Sequence, residues 1–336
     1  MKLTIVLLLI CSLVNAVYAK KIATFPELNR PNNFVIDGDR LFISDCPSVY
    51  IYSFNDGDIQ LMKKFGEVGN GPGEFKKVLA SFRMIIRPGY IFVGSREKIS
   101  YFTRTGEFIR EKNVAGVGYG FSPLNDKFLG RKVIRDNNKL YLAIKIFDSD
   151  LKELAELTRQ LYVRQPGVKD IKVFSVAFNV TTGGNKIFAV PSVDFTIKIF
   201  DYQGKLLHTI DEKNRIKRIK IENKHKEDYH NYMTVVFPEY QRLKERVVFP
   251  EYFPAIRGLN YIKGKEKLYV ITWKQKNSKS EIFILDTKGT FIKKAFLPIK
   301  EQNVLSFYPY RLKDGNVYQL IENDDGDWEL HINPID

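Results

Sequence analysis

Cysteine is nearly absent from this sequence: only Cys11 and Cys46 occur in 336 residues, and Cys11 falls in an N-terminal apolar stretch. A single remaining thiol excludes an internal disulfide, so the fold must rest on its core. Within a strand pattern, Cys46 reads as a small buried hydrophobe and not as a nucleophile. Histidine is also scarce, with His208, His225, His230 and His331 as the whole set. His225 and His230 are five apart, and no pair has the helical spacing and flanking acid of a zinc site. No Gly-x-Ser-x-Gly nucleophile elbow is present. Runs of Ala, Leu, Glu and Lys that would build long helices are few. Beyond the N-terminus, no segment stays apolar for the ~20 residues that a membrane-spanning helix needs.

The first nineteen residues have the layout of a secretory signal peptide. Lys2 supplies the positive start, and Leu3 to Leu13 is apolar apart from Thr4, Cys11 and Ser12. Val17-Tyr18-Ala19 then offers residues suited to cleavage before Lys20. Residues 1–19 are therefore set apart from the fold, and the mature chain is expected to be secreted or periplasmic, with no stable membrane span. Cys46 becomes its only thiol. The formal charge of +14 loses only Lys2 and stays at +13, which favours anionic partners. A secreted location makes nucleic acid a poor partner.

What the chain has in abundance is 25 Phe and 18 Tyr, with many Ile and Val, the types that fit a pleated, half-buried surface. They recur in a pattern of strand, tight turn and strand. An aliphatic residue beside an aromatic one marks each copy, at Leu41, Ile91, Leu140, Ile187, Leu268 and Val317. The steps are 50, 49, 47, 81 and 49 residues. Gly, Asn and Asp sit between the strands, supplying the positive φ that tight hairpins require. Four short strands every 40–50 residues is the period of propeller blades. A lone four-stranded blade cannot cover both its faces, whereas radial stacking covers them and leaves only short edges. The expected fold is all-β: a six-bladed β-propeller of four-stranded antiparallel blades over residues 20–336. Its last copy lacks an outermost strand, which the segment from Lys21 to Phe25 could supply.

One segment carries a family resemblance. Phe65-Gly66-Glu67-Val68-Gly69-Asn70-Gly71-Pro72-Gly73-Glu74-Phe75 resembles the inter-blade motif of NHL-repeat and TolB-like six-bladed propellers of bacteria. In such propellers the stretch links the outer strand of one blade to the inner strand of the next. Gly71, Pro72, Gly73, Glu74 and Phe75 are accordingly expected to be structural: glycines for unusual backbone angles, proline for stiffness, and Phe75 packed between blades. The stretch is not a P-loop, because it lacks the Lys-Ser/Thr ending and no helix pattern follows.

The 81-residue step holds an insertion between blades 4 and 5, at about residues 211–250. Lys213, Arg215, Lys217, Arg218, Lys220, Lys224 and Lys226 are opposed within that stretch by Glu222 alone. Tyr229, Tyr232, Met233, Val236 and Tyr240 follow at helical spacing, interrupted by Pro238. Val-Val-Phe-Pro-Glu-Tyr occurs twice, at residues 235–240 and 247–252. The segment is expected to be partly helical, and either a basic aromatic lid beside the channel or a long solvated connection.

Some six-bladed propellers are enzymes with carboxylates, Asn or His on their inner strands holding calcium or zinc. That ring is not evident here. What recurs instead is arginine ahead of a blade's first turn, at Arg83, Arg131, Arg257 and Arg311. Pointing inward, these would make the channel mouth a binding site for carboxylate, sulfate or phosphate. The leading expectation is a monomeric, non-enzymatic binding module for a protein, acidic peptide or acidic glycan, with no catalytic residues, no cofactor and no resident metal. The alternative is a calcium-dependent hydrolase or lyase with its site in the channel. Fold alone does not choose between them.

Overall fold

In a computed structural model, the chain is described over residues 20–335, apart from 56–57, 76–81, 96, 176–178 and 213–214. The expected signal peptide of residues 1–19 and Lys213 lie outside the described residues.

Six four-stranded antiparallel sheets form the blades of a propeller. Blade 1 comprises Asn33–Asp37, Arg40–Asp45, Ser48–Ser53 and Leu61–Phe65, and blade 2 comprises Arg83–Ile86, Ile91–Gly94, Lys98–Phe102 and Phe108–Asn113. Blade 3 runs Tyr119–Leu124, Lys127–Asp136, Lys139–Phe147 and Glu153–Leu161, and blade 4 runs Val180–Gly183, Lys186–Ala189, Thr196–Asp201 and Leu206–Asp211. Blade 5 is Gly258–Ile262, Lys267–Lys276, Lys279–Asp286 and Phe291–Leu297. Blade 6 takes Tyr310–Lys313, Asn316–Glu322 and Trp328–Pro334 from the end of the chain and Lys20–Phe25 from its start. That last pairing is antiparallel, with Phe25 opposite Trp328 and Thr24 opposite Glu329.

The period of two explains how the blades stack. In blade 1, Leu41, Ile43, Tyr50 and Tyr52 join a core shared with Phe25, Leu320 and Trp328 of blade 6. Their sequence neighbours Phe42, Val49 and Ile51 face the other way, into a core shared with Met84, Ile91 and Val93 of blade 2. Successive side chains on a strand point to opposite faces, so each middle strand feeds two cores and reads as a continuous apolar run. Further cores lie between each following pair of blades. Outermost strands bury less, as in Leu61-Met62-Lys63-Lys64-Phe65, where most side chains are exposed.

Turn chemistry repeats with the blades. The Asp201 carboxylate accepts hydrogen bonds from the backbone N–H of Gln203 and Lys205, both 2.9 Å. Asp286 does the same for Lys288 and Thr290, both 2.8 Å. Gly204 and Gly289 follow at φ 91° and 94°, where other residues are strained.

The repeat spacing misplaces one blade. Leu140 lies in the third strand of blade 3, whereas the other five markers lie in second strands. Asn137 and Asn138, with φ 46° and 60°, form the more conspicuous hairpin of that blade. The true first turn, at Asn125 (φ 55°) and Asp126, offers a single left-handed residue. Arg131 therefore sits on a second strand and not on the innermost one.

The Gly-Pro-Gly-Glu-Phe stretch crosses from blade 1 to blade 2. Phe75 N–H donates to Glu67 O at 2.8 Å and Gly69 N–H to Phe75 O at 3.2 Å, closing a compact loop. Gly71 N–H donates to the Glu74 carboxylate at 2.8 Å, and a Cβ at Gly69 would fall 1.8 Å from that same carboxylate. Phe75 is fully buried, edge-on to Phe82 at 5.1 Å. Lys98 of blade 2 completes the clasp, donating to Gly71 O at 2.7 Å and pairing with Glu111 at 3.0 Å. Replacing Phe75 by Ala is expected to destabilise the fold by about 3–5 kcal/mol, read as a lower urea midpoint with the m-value unchanged.

Candidate functional site

Because strands alternate in direction, every connection from an outermost strand to the next innermost strand lies on one face of the propeller. This crossover face is where the innermost strands begin. The opposite, hairpin face carries the turns between first and second and between third and fourth strands.

The four arginines lie toward the crossover face. Arg83 is the first residue of its innermost strand, Arg311 the second, and Arg257 immediately precedes Gly258. Arg131 lies opposite Tyr119, the first residue of blade 3's innermost strand. Three of the four are brought together. Burial, then the neighbouring positive charges of Arg131 and Arg311, lower Arg83 to about 10. Burial also lowers Arg311 to about 10, and lowers Arg131. All three stay charged at neutral pH. Arg83 and Arg131 line a common cavity of about 10 Å³ with Gly120, Ser122 and Gly130, enough for about one water. Among the described residues, Arg83 has no hydrogen-bond or ion-pair partner.

Arg311 is held by its surroundings. It donates to Tyr310 O at 2.8 Å and to the Asn33 side chain, and lies over the Phe34 ring at 5.7 Å. Asn33 in turn donates to Met84 O at 2.9 Å, and Asn260 to the Tyr310 hydroxyl at 2.9 Å. A polar chain thus links the innermost strands of blades 5, 6, 1 and 2. Asn33, Asn260 and Tyr310 were not singled out in the sequence. An amide near the opening of an inner strand, where apolar residues dominate, is the signal that could have found Asn33 and Asn260.

Arg257 stands apart. Its guanidinium pairs with Glu301 and is sandwiched by Trp273 at 4.5 Å and Phe307 at 3.9 Å. Phe253 stacks on the other side of this assembly, against Trp273 at 4.0 Å and 8°. Arg257 is a compensated, buried anchor between blades 5 and 6 and stands outside the group around Arg83. Its spacing ahead of a turn matched the others, but spacing does not report the partner a neighbouring crossover brings.

The insertion also occupies the crossover face. Helix α1 (Asn223–Val236) is followed by short 3₁₀ turns at Pro238–Arg242 and Lys244–Arg246. Tyr229 and Tyr240 turn inward to a separate core with Ile171, Ile221, Phe253 and Val304, joined by Trp273 of blade 5. The basic run is largely compensated locally. Arg215 pairs with Glu212 at 2.9 Å, Lys220 with Glu251 at 3.8 Å and Lys224 with Glu222 at 3.5 Å. Arg218 donates to Phe253 O at 2.9 Å and Tyr252 O at 3.1 Å. The aromatics build the cap's interior, and much of its charge is spent within it.

Among the described residues, no group of three or more His, Cys, Asp or Glu is placed to hold a metal ion. No helix among them is long and apolar enough to cross a membrane.

No protein-family model and no curated protein matches the sequence. Among solved structures, the chain is similar to an exported protein from Bacteroides fragilis NCTC 9343, with TM-score 0.54 and 14% identity over 95% of each chain. It is also similar to a DUF4221-family member from Bacteroides vulgatus ATCC 8482, with TM-score 0.53 and 12% identity over 94% of this chain and 96% of that one. At such identities the likeness is one of fold.

Helix α1 is expected to be acid-sensitive. His225 Nδ1 accepts the Glu222 N–H at 3.1 Å, which requires an unprotonated nitrogen. Burial and Lys224 lower His225 below its ordinary 6.5, and burial and Lys244 lower His230 likewise. A lowered histidine favours the neutral form in the fold, so this stability is complete above the ordinary pKa and is lost as pH falls below it. Amide protection across Asn223–Val236 should fall as pH drops below the ordinary histidine value of 6.5. His225→Gln, which keeps an acceptor, should blunt that fall.

Proposed function

We propose that this protein is an exported, NHL-like six-bladed propeller that binds an anionic ligand at the crossover-face mouth of its channel, around Arg83, Arg131 and Arg311. The observation that carries the reading is the arginine trio itself. Like charges gathered in a partly desolvated site oppose folding, and Arg83 has no described partner to offset them. A ligand carboxylate, sulfate or phosphate would supply the missing countercharge in a planar, bidentate geometry.

Other features support the same reading. The mature chain carries +13, which steers anions toward it. The apolar leader, together with the exported description of the similar Bacteroides fragilis protein, supports export. The Gly-Pro-Gly-Glu-Phe clasp supports an NHL-like relation. Acidic peptides and acidic glycans are the ligand classes that fit, and the reading needs no metal.

Thermal denaturation with sulfate, hexaglutamate, oligogalacturonate, a neutral malto-oligosaccharide, and calcium with and without EDTA tests this. Binding to the folded state raises the melting temperature. Sulfate, hexaglutamate or oligogalacturonate should raise it, and any rise with the malto-oligosaccharide should survive Arg83→Ala. Arg83→Ala should keep or increase stability without ligand, since it removes repulsion, and should abolish the anion response. Arg257→Ala should instead cost about 1–3 kcal/mol, by leaving Glu301 unpaired, while leaving the anion response intact. An unchanged anion response in Arg83→Ala would overturn the assignment, as would a calcium shift reversed by EDTA with no response to anions.

A further inference from the structure

A second concavity lies between blades 2 and 3, reaching the hairpin face, away from the arginine trio. Its walls are the first turns of the two blades, at Gly89-Tyr90 and Asn125-Asp126, the blade 3 turn at Ser149-Asp150, and the outermost strand of blade 2. Its volume is about 460 Å³, within the range of about 300–1,000 Å³ typical of small-molecule sites.

The floor is aromatic. Tyr90, Tyr101 and Phe128 line it, with the two tyrosine rings 5.4 Å apart and inclined at 59°. Phe92 packs edge-on to Tyr101 at 5.8 Å and lies 6.3 Å from Phe128, so the floor rests on the core between the blades. Arg110 covers Tyr101 at 4.7 Å. Neither phenol has a hydrogen bond among the described residues. Burial raises the Tyr101 phenol, which therefore stays a donor at neutral pH.

The rim is polar and of mixed sign. Arg110 and Lys112 face Asp126 and Asp150, two charges of each sign in a chain that carries +14 overall. Lys112 is engaged by Ser149 O and by Asp150 at 3.3 Å, whereas the Glu111 carboxylate turns to the blade 1 side, onto Lys98 at 3.0 Å. Asp126 and the two phenols have no such described partner. The site therefore offers both donors and acceptors without the positive field that marks the channel mouth. That chemistry disfavours an anion, and the polar rim disfavours a purely apolar ligand. An apolar ring face above hydroxyl-binding groups suits a ligand with one C–H face and many hydroxyls.

We propose that this cleft binds a neutral saccharide, with a sugar ring stacked on Tyr90 and its hydroxyls bonded to Asp126 and the two phenols. The site is separate from the anion site, and either can fail without the other. Calorimetric titration with neutral hexasaccharides of glucose, mannose, xylose and N-acetylglucosamine tests it, beside a proline-rich peptide and oligogalacturonate. At least one neutral hexasaccharide should bind. Tyr90→Ala should weaken it about tenfold, equivalent to losing one aromatic contact. Asp126→Asn, at an exposed position where folding is not at stake, should weaken it about tenfold through a lost charge-assisted hydrogen bond. Arg83→Ala should leave it unchanged. Binding by none of the neutral sugars, or only by the peptide or oligogalacturonate, would overturn the proposal. So would sugar binding that neither Tyr90→Ala nor Asp126→Asn weakens.

Discussion

Everything in this molecule depends on one strand closing the ring. Lys20–Phe25 pairs with Trp328–Pro334, so the last blade is completed by the first residues of the expected mature chain. Phe25 and Trp328 are both buried there, and the Trp328 indole N–H donates to Asn29 O at 3.2 Å. Without that strand, blade 6 would keep three strands and an open edge. With it, each blade is packed on both sides, and the innermost strands are held around a common axis.

That closure also fixes where the arginines of the crossover face lie relative to one another. Arg83, with Arg131 and Arg311 both in electrostatic reach of it, would move away from them on a flexible surface. Here the ladders of three blades fix their backbones, and the polar chain through Asn260, Tyr310, Arg311, Asn33 and Met84 O fixes the strands to one another. Strain of this kind persists where the scaffold over-determines it, and concentrates at functional sites. Arg257 shows the opposite solution: a guanidinium taken into an aromatic sandwich and neutralised by Glu301.

The blade count and the inserted segment were legible because propeller blades repeat their turn residues and alternate their apolar ones. Blade 3 was the exception. Its Asn137-Asn138 hairpin is more conspicuous than the turn at Asn125-Asp126, and all hairpins in such a sheet look alike, so the spacing slipped by one strand. The same slip put Arg131 on the wrong strand while leaving it at the right end of the blade. Within the cap, the spacing of Tyr229, Met233 and Tyr240 gave the inward face, but the neutralisation of the basic run did not show. Its partners Glu212 and Glu251 flank the run in sequence and meet it through the path of the chain.

The twice-used string Val-Val-Phe-Pro-Glu-Tyr marks the boundary between what sequence and tertiary structure decide. Its first copy ends helix α1 and enters a 3₁₀ turn, burying Tyr240 to 2% exposure. Its second copy is extended, with Val247–Val248 paired to Ile171–Lys172 and Tyr252 exposed at 37%. Six identical residues cannot choose between these conformations, because local propensities differ by less than burial against a neighbour contributes. The sequence by itself determined the strand period, the turns and the number of blades, since these follow from alternation and from residues that tolerate positive φ. The tertiary structure alone decided that Arg257 found Glu301 while Arg83 came to lie near Arg131 and Arg311, because charge pairing depends on distances that only the closed ring sets.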